Sequence, residues 1–441
     1  MAAVVGIRRE DKNEWERRVP LIPEDVASLR KEHGIQFIVQ PSPIRVFKDE
    51  EYLAAGALVQ EDLSGADILL AVKEIPLPLV QPGKVHLFFS HTIKGQAYNM
   101  PLLQGILERK ATLIDYERIS DEQNRRLIFF SVHAGYAGTL ETLRAWGLRR
   151  RSEGVETPLA QILPAHEYPD LDAAKRHLTG IGATIARDGM GEHEGSVIIG
   201  IAGYGNVSRG CQEILDCLPV IPLDVADLPA AAAARPGTLG PVAMVIFHEE
   251  NMVEPRAEEA QFVLQDYYRH PENYRGVFAD HLPHLDIMLN TIYWEDRYPR
   301  LVTRKWARSA YGRDVPPRLR VIGDISCDIH GAVELTLKAT MPDEPCFVVD
   351  PDRMEASPGV AGSGPVIMSV DNLPCELPRE SSLSFSSALK DMVADLANTD
   401  FGTGFESLML PSYLKKAAIT HRGALTPDYR YLQEHLDRSG R

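Results

Sequence analysis

Short apolar runs alternate with amphipathic stretches along most of this chain. Residues 4–8, 35–39, 68–72, 85–89 and Thr112–Asp115 are four or five residues long and rich in Val, Ile, Leu and Phe. Runs of that length and composition read as buried strands. Residues 24–31, with Val26 and Leu29 on one face, and residues 49–55 and 96–109 carry helical spacing instead. Strands and helices that alternate over short connections predict a mainly parallel sheet covered by helices. Residues 129–150 begin with small side chains and read as a long helix joining two parts of the chain, and 171–185 as an amphipathic helix. A second alternating set follows, with strands expected at 197–201, Val220–Pro222, 244–247, Ile287–Asn290 and 319–322. Residues 230–240 are an Ala/Pro/Gly connector, expected to be exposed, and 389–396 and 428–436 close the chain as helices. The chain contains no internal repeat.

Composition narrows the class. A length of 441 residues suits two or three domains, and 44% apolar with 25% charged residues is ordinary for a globular chain. A net charge of −15 argues against a nucleic-acid partner, which would call for clustered Lys and Arg. The five cysteines are odd in number and show no CxxC spacing, so neither a disulfide framework nor a metal site is expected. Charges at Arg8, Arg9, Glu10 and Asp11 interrupt the N-terminus, and no run reaches the length of a membrane span. The expectation is a cytoplasmic protein with no membrane partner.

Chemistry concentrates at a few strand ends. Residues 195–210 read GSVIIGIAGYGNVSRG, a buried strand, a turn at Gly203-Tyr204-Gly205, and a helix opening at Asn206 and Val207. Such a turn presents free N–H groups and a helix dipole to one point, which is how a pyrophosphate is held. The third glycine of the GxGxxG pattern is replaced by Ser208, with Gly210 two residues on, so the pattern alone is equally that of a plain βα turn. Asp224 follows Gly203 by 21 residues, near the spacing of an acid that binds a ribose 2′-hydroxyl, and on its own favours NAD(H). Lys73 and His91 each follow a predicted strand, where parallel sheets place functional groups.

Seven segments in order carry a resemblance: EWERRVPLIP, ILLAVKEIP, FFSHTIKGQAYNM, IFFSVHAGYAG, GYGNVSRG, DISCD and SVDNLPCELP. Together they closely resemble the lysine–2-oxoglutarate reductase part of alpha-aminoadipic semialdehyde synthase. They are similar, more distantly, to saccharopine dehydrogenase (lysine-forming), in the alanine dehydrogenase and transhydrogenase N-terminal group. The resemblance spans nearly the whole chain. It implies two Rossmann-like α/β domains with mainly parallel sheets and an active-site cleft between them. Residues 1–134, joined by 330–441, would form the substrate domain, and 135–329 the dinucleotide-binding domain.

The implied reaction joins the ε-amine of lysine to 2-oxoglutarate and reduces the imine to saccharopine with a nicotinamide cofactor, or runs in reverse. The resemblance implies Lys73 and His91 as the acid/base pair. It further implies Arg18, Lys94 and Arg125 as carboxylate anchors, with Glu16 orienting Lys73 or the amine. Gly203, Gly205, Asn206, Val207, Asp224 and Asp324 would line the cofactor. NADP(H) is favoured through the reductase relatives, against the NAD(H) that Asp224 suggests. An amino-acid dehydrogenase of alanine dehydrogenase type, an opine-forming enzyme with another amine or oxo acid, and a nucleotide-binding module without activity are the competing readings.

Overall fold

The computed structural model describes residues 3–191, 195–235, 237–312 and 317–439, so the ends of the expected substrate domain and Pro236 of the connector lie outside the described residues. The chain divides into two units, Met1–Phe130 with Pro378–Arg441, and Ser131–Leu377.

In the first unit six strands follow one another, β1 (Val4–Ile7), β2 (Gln36–Val39), β3 (Leu58–Val59), β4 (Ile68–Leu70), β5 (Val85–Phe88) and β6 (Thr112–Asp115). The sheet order is β6-β5-β4-β1-β2-β3 with every pair parallel. Both faces are covered, which is why the strands read as continuous apolar runs. The C-terminal segment completes this unit. Its helix Pro378–Ala397 offers Ser382 Oγ to the Val19 N–H at 3.0 Å and Ser386 Oγ to the Ile22 N–H at 2.9 Å. Ile22 caps the helix Pro23–His33 without a side-chain cap of its own, so the serines satisfy amides the N-terminal segment leaves open. Phe385 from the same helix sits edge-on to Tyr116 and flat against Phe130, both at 4.9 Å between centroids.

The second unit opens with the helix Ser131–Ser152. Its strands are β7 (Val197–Ala202), β8 (Val220–Pro222), β9 (Val242–Phe247), a hairpin of β10 (Val253–Pro255) and β11 (Tyr274–Gly276), then β12 (Ile287–Asn290), β13 (Val321–Asp324), β14 (Cys346–Asp350), β15 (Glu355–Pro358) and β16 (Val366–Met368). The main sheet runs β15-β14-β16-β13-β12-β7-β9-β8, parallel except where β14 joins β15 and β16. Back in the first unit, β17 (Ala418–His421) and β18 (Ala424–Leu425) extend its sheet beyond β6 as antiparallel edge strands.

Residues 330–377 therefore depart from the expected boundary. They form β14 to β16 and pair with β13 through Val321 and Val366, so they belong to the second unit's sheet and not to the first unit. Apolar strands of either unit look alike in composition, and only pairing decides which sheet they join.

The core of the second unit contains an unusual group of charges. Glu141, His166 and Glu376 bring their donor atoms within 4.8 Å of one another, and Glu141 and Glu376 are fully buried. The Glu141 carboxylate accepts from the Ala165 N–H at 2.6 Å, with Arg144 3.6 Å away. Burial pushes the Glu376 carboxyl up to about 8, and burial and the neighbouring Glu376 charge raise Glu141 as well. A buried carboxyl held protonated stabilises the fold below its ordinary value of 4.5, and that contribution is lost as pH rises through about 8. Glu376→Gln should remove this loss. Urea midpoints measured at pH 5, 7 and 9 are expected to show the variant gaining on the parent as pH rises; parallel curves would refute the assignment.

Candidate functional site

In the first unit the chemistry gathers where β1, β4 and β5 end. Arg8 continues β1, its N–H bonded to the Leu70 carbonyl at 2.9 Å. Glu10 then turns its buried carboxylate onto the Val72 and Lys73 N–H groups, at 2.6 and 3.0 Å. It thereby fixes the chain where Lys73 leaves the sheet. Burial and the nearby Glu16 charge lift Glu10 to about 7 in spite of those two amides.

Lys73 is half-buried, and its ammonium is pushed below the ordinary 10.5 by burial first and by the Arg18 charge next, with Glu16 opposing. Glu16 and Arg18 form a fully buried two-pronged pair at 2.7 and 2.5 Å, and the guanidinium lies over the Phe130 ring at 4.3 Å. A planar fork and a carboxylate are matched for this geometry.

His91 stands in the left-handed region at φ 53°. That conformation costs a residue with a Cβ roughly 1–3 kcal/mol and persists only where its surroundings enforce it. Here the neighbours do so. Ser90 donates through both its N–H and its hydroxyl to the buried Asp115 carboxylate, and Asn99 Nδ2 donates to the His91 carbonyl at 2.8 Å. Burial raises Asp115 to about 6 against those donors. His91 Nδ1 lies 2.6 Å from Glu74 Oε1. Burial alone would raise Glu74, but the His91 hydrogen bond and the Lys12 charge outweigh it and hold the carboxyl at about 2. An ionised carboxylate only accepts, so Nδ1 carries the hydrogen and Nε2 is left as the basic nitrogen.

The structure thus brings Glu16, Arg18, Lys73 and His91 into one neighbourhood with Glu10 and Glu74. The two last were not anticipated, although Glu74 adjoins Lys73 in sequence. Lys94 and Arg125 make no hydrogen bond or ion pair with them among the described residues. Lys94 is exposed on the loop after His91, and Arg125, with 76% of its side chain exposed, is bound to Asp121 at 2.7 Å. Neighbouring Arg126 pairs with Glu117.

In the second unit the expected turn is present. Gly203 has φ 100°, and a Cβ there would fall 2.9 Å from Thr291 Oγ1. Gly205 caps the helix Asn206–Leu215 with no side-chain bond, and around its missing Cβ there is open space. An uncapped helix end beside an accessible turn suits a pyrophosphate. Asn206 is exposed and Val207 half-buried at that end. Gly203 and Gly205 line a cleft of about 480 Å³ with Glu249, Tyr268, Thr291 and Tyr293, a fitting size for part of a dinucleotide. The helix also needs its later glycine. A Cβ on Gly210 would stand 2.2 Å from the Val132 carbonyl, and one on Gly135 2.1 Å from the Val207 carbonyl. Gly210 thus supplies the close packing that position 208, a buried Ser, does not.

Neither Asp224 nor Asp324, both expected beside the cofactor, lines that cleft. The 21-residue spacing from Gly203 assumes that the strand before Asp224 lies next to the glycine strand. Instead β9 lies between β7 and β8, which leaves Asp224 exposed at the sheet edge. Asp324 is fully buried, its carboxylate accepting from Asn290 Nδ2 and Ser326 Oγ at 2.8 Å each and from the Thr336 hydroxyl. Those donors and burial make it an internal tie between the ends of β12 and β13.

Residues 6–137 match the family described as alanine dehydrogenase/PNT, N-terminal domain. The backbone follows an L-alanine dehydrogenase with a TM-score of 0.64 at 18% identity, covering 98% of this chain and 99% of that one. It follows a transhydrogenase from Sinorhizobium meliloti with a TM-score of 0.57, again at 18% identity, covering 96% and 100%. The chain thus has the two-unit α/β fold of the alanine dehydrogenase and transhydrogenase group. Along its length it is similar to the alpha-aminoadipic semialdehyde synthase of Arabidopsis thaliana, 35% identical over 97% of this chain and 41% of the relative. The mitochondrial synthase of Rattus norvegicus is 34% identical over 98% and 48%. A saccharopine dehydrogenase [NAD(+), L-lysine-forming] of Neurospora crassa is 28% identical over 88% and 89%. The chain spans less than half the length of the synthases it matches. The expected family resemblance is borne out, and the expectation of an oxidoreductase agrees with these relatives. Among the described residues no helix is long and apolar enough to cross a membrane.

Gly210→Ala is expected to cost about 1–3 kcal/mol through backbone collision. Thermal unfolding should show the loss, and an unchanged Tm would rule out the close helix contact.

Proposed function

We propose that this chain is a lysine–2-oxoglutarate reductase, joining the ε-amine of lysine to the keto carbon of 2-oxoglutarate and reducing the imine to saccharopine, or catalysing the reverse. The observation that carries this reading is the pairing of a desolvated Lys73 with a strained, Glu74-bound His91 at adjacent strand ends. The likeness to the synthases along nearly the whole chain supports it.

When bound at the glycine turn, a nicotinamide dinucleotide would supply or take the hydride. The chain's own residues manage protons and charge. Burial and Arg18 favour the neutral amine of Lys73, which can accept the proton that the attacking amine releases. His91, its Nδ1–H held by Glu74, would take up a proton at Nε2 and deliver it to the carbinolamine hydroxyl, which then leaves as water. Arg18 acts here through Lys73 and Glu16. The Neurospora relative is named for NAD(+), and the reductase resemblance favours NADP(H).

The exposure of Lys94 and Arg125 favours a second reading, an amino-acid dehydrogenase that uses ammonia and a small oxo acid and needs fewer anchors. Cofactor absorbance followed with lysine and 2-oxoglutarate, against ammonia and pyruvate, separates the two. Turnover only with the second set would replace the first reading.

Lys73→Met is expected to lower kcat by ~10²–10⁴-fold with an unchanged circular dichroism spectrum. For His91 the informative change is His91→Asn, since Asn tolerates the left-handed backbone and removes only the imidazole; it too is expected to lower kcat by ~10²–10⁴-fold. Parental turnover in either folded variant would remove that residue from the mechanism.

A further inference from the structure

The position of β9 moves the question of cofactor choice to a residue the sequence spacing did not indicate. A dinucleotide whose pyrophosphate rests on the turn after β7 extends its adenosine over the carboxyl end of the neighbouring strand on one side. In this sheet that neighbour is β9, whose end continues as His248, Glu249 and Glu250. Glu249 lines the same cleft as Gly203 and Gly205.

Its carboxylate is held in place. Tyr268 donates its hydroxyl to Glu249 Oε1 at 2.6 Å, and the Tyr204 hydroxyl stands 3.5 Å from the same oxygen. The Tyr204 ring, from the glycine turn itself, stacks on His248 with centroids 4.3 Å apart and planes 11° from parallel. Turn and strand end are therefore locked together. Both hydroxyls meet Oε1, and among the described residues no hydrogen bond reaches Oε2. A carboxylate is an acceptor only, suited to two vicinal hydroxyls and repelled by a phosphate carrying nearly two negative charges. Arg297, whose Nη1 donates to the Tyr268 carbonyl at 3.3 Å, is already paired with Glu295 at 2.9 Å.

We propose that Glu249 binds the 2′,3′-diol of the adenosine ribose and selects NAD(H) over NADP(H). This rests on the reading of the glycine turn as a dinucleotide site, but not on the identity of the amine or oxo acid. The full chain is titrated with NADH and with NADPH, following cofactor fluorescence and melting temperature without substrate. NADH is expected to bind roughly tenfold or more tightly than NADPH. Glu249→Gln should weaken NADH and shrink that ratio, Tyr268→Phe should shrink it partly, and Asp224→Asn should leave it unchanged. Gly205→Val should weaken both cofactors together, which tests the turn separately from the acid.

Preference for NADPH in the parent, or a ratio that collapses in Asp224→Asn and survives in Glu249→Gln, overturns the assignment. If neither cofactor alters fluorescence or melting temperature of the folded chain, the dinucleotide reading falls and this proposal with it.

Discussion

Much of this chain's chemistry depends on carboxylates placed where water is excluded. Glu10 closes the end of β4 by accepting two amides, Asp115 does the same for the turn at Ser90, and Asp324 ties three side chains between β12 and β13. Parallel sheets expose backbone donors wherever a strand ends, and a buried amide without an acceptor is costly. A short acidic side chain at each exit meets that demand and also fixes the direction in which the next residue leaves. Lys73 is held by the first of these anchors through its own N–H, and His91 directly follows Ser90, which the second holds.

The same constraint explains the electrostatics. Burial raises Glu10, Asp115 and Asp324, while Glu74, which faces His91 and Lys12, moves the other way. Carboxyls of one type are thus divided between ties whose ionisation is disfavoured and one orienter whose ionisation is favoured. Environment, not residue identity, assigns the role.

Periodicity made most of the architecture legible. The strands of the first unit and β7, β12 and the helix after Gly205 lie within a few residues of where the apolar runs put them, because strands buried on both faces announce themselves. The hairpin β10–β11, the edge strands β17 and β18, and β14 to β16 were not read, being short, half-exposed or antiparallel and dependent on distant partners. The site was legible where a residue's neighbours in sequence are its neighbours in space, as with Lys73 and Gly203. Asp224 stands one strand farther from the glycine turn than its spacing suggests, because spacing along the chain carries no information on strand order. Arg18, which the resemblance implies as a carboxylate anchor, is paired in the fold with Glu16 two residues away, a partner that spacing alone does not announce.

The crossing of the helices Ser131–Ser152 and Asn206–Leu215 has a consequence for how the second unit can vary. With backbone against backbone at Gly135 and Gly210, neither helix has slack to rotate or slide about the other. The opening turn of the shorter helix, where Asn206 begins, is thereby clamped to the longest rod in the unit. A ligand arriving there would meet donors whose aim was set during folding, so little ordering entropy would be spent on its arrival.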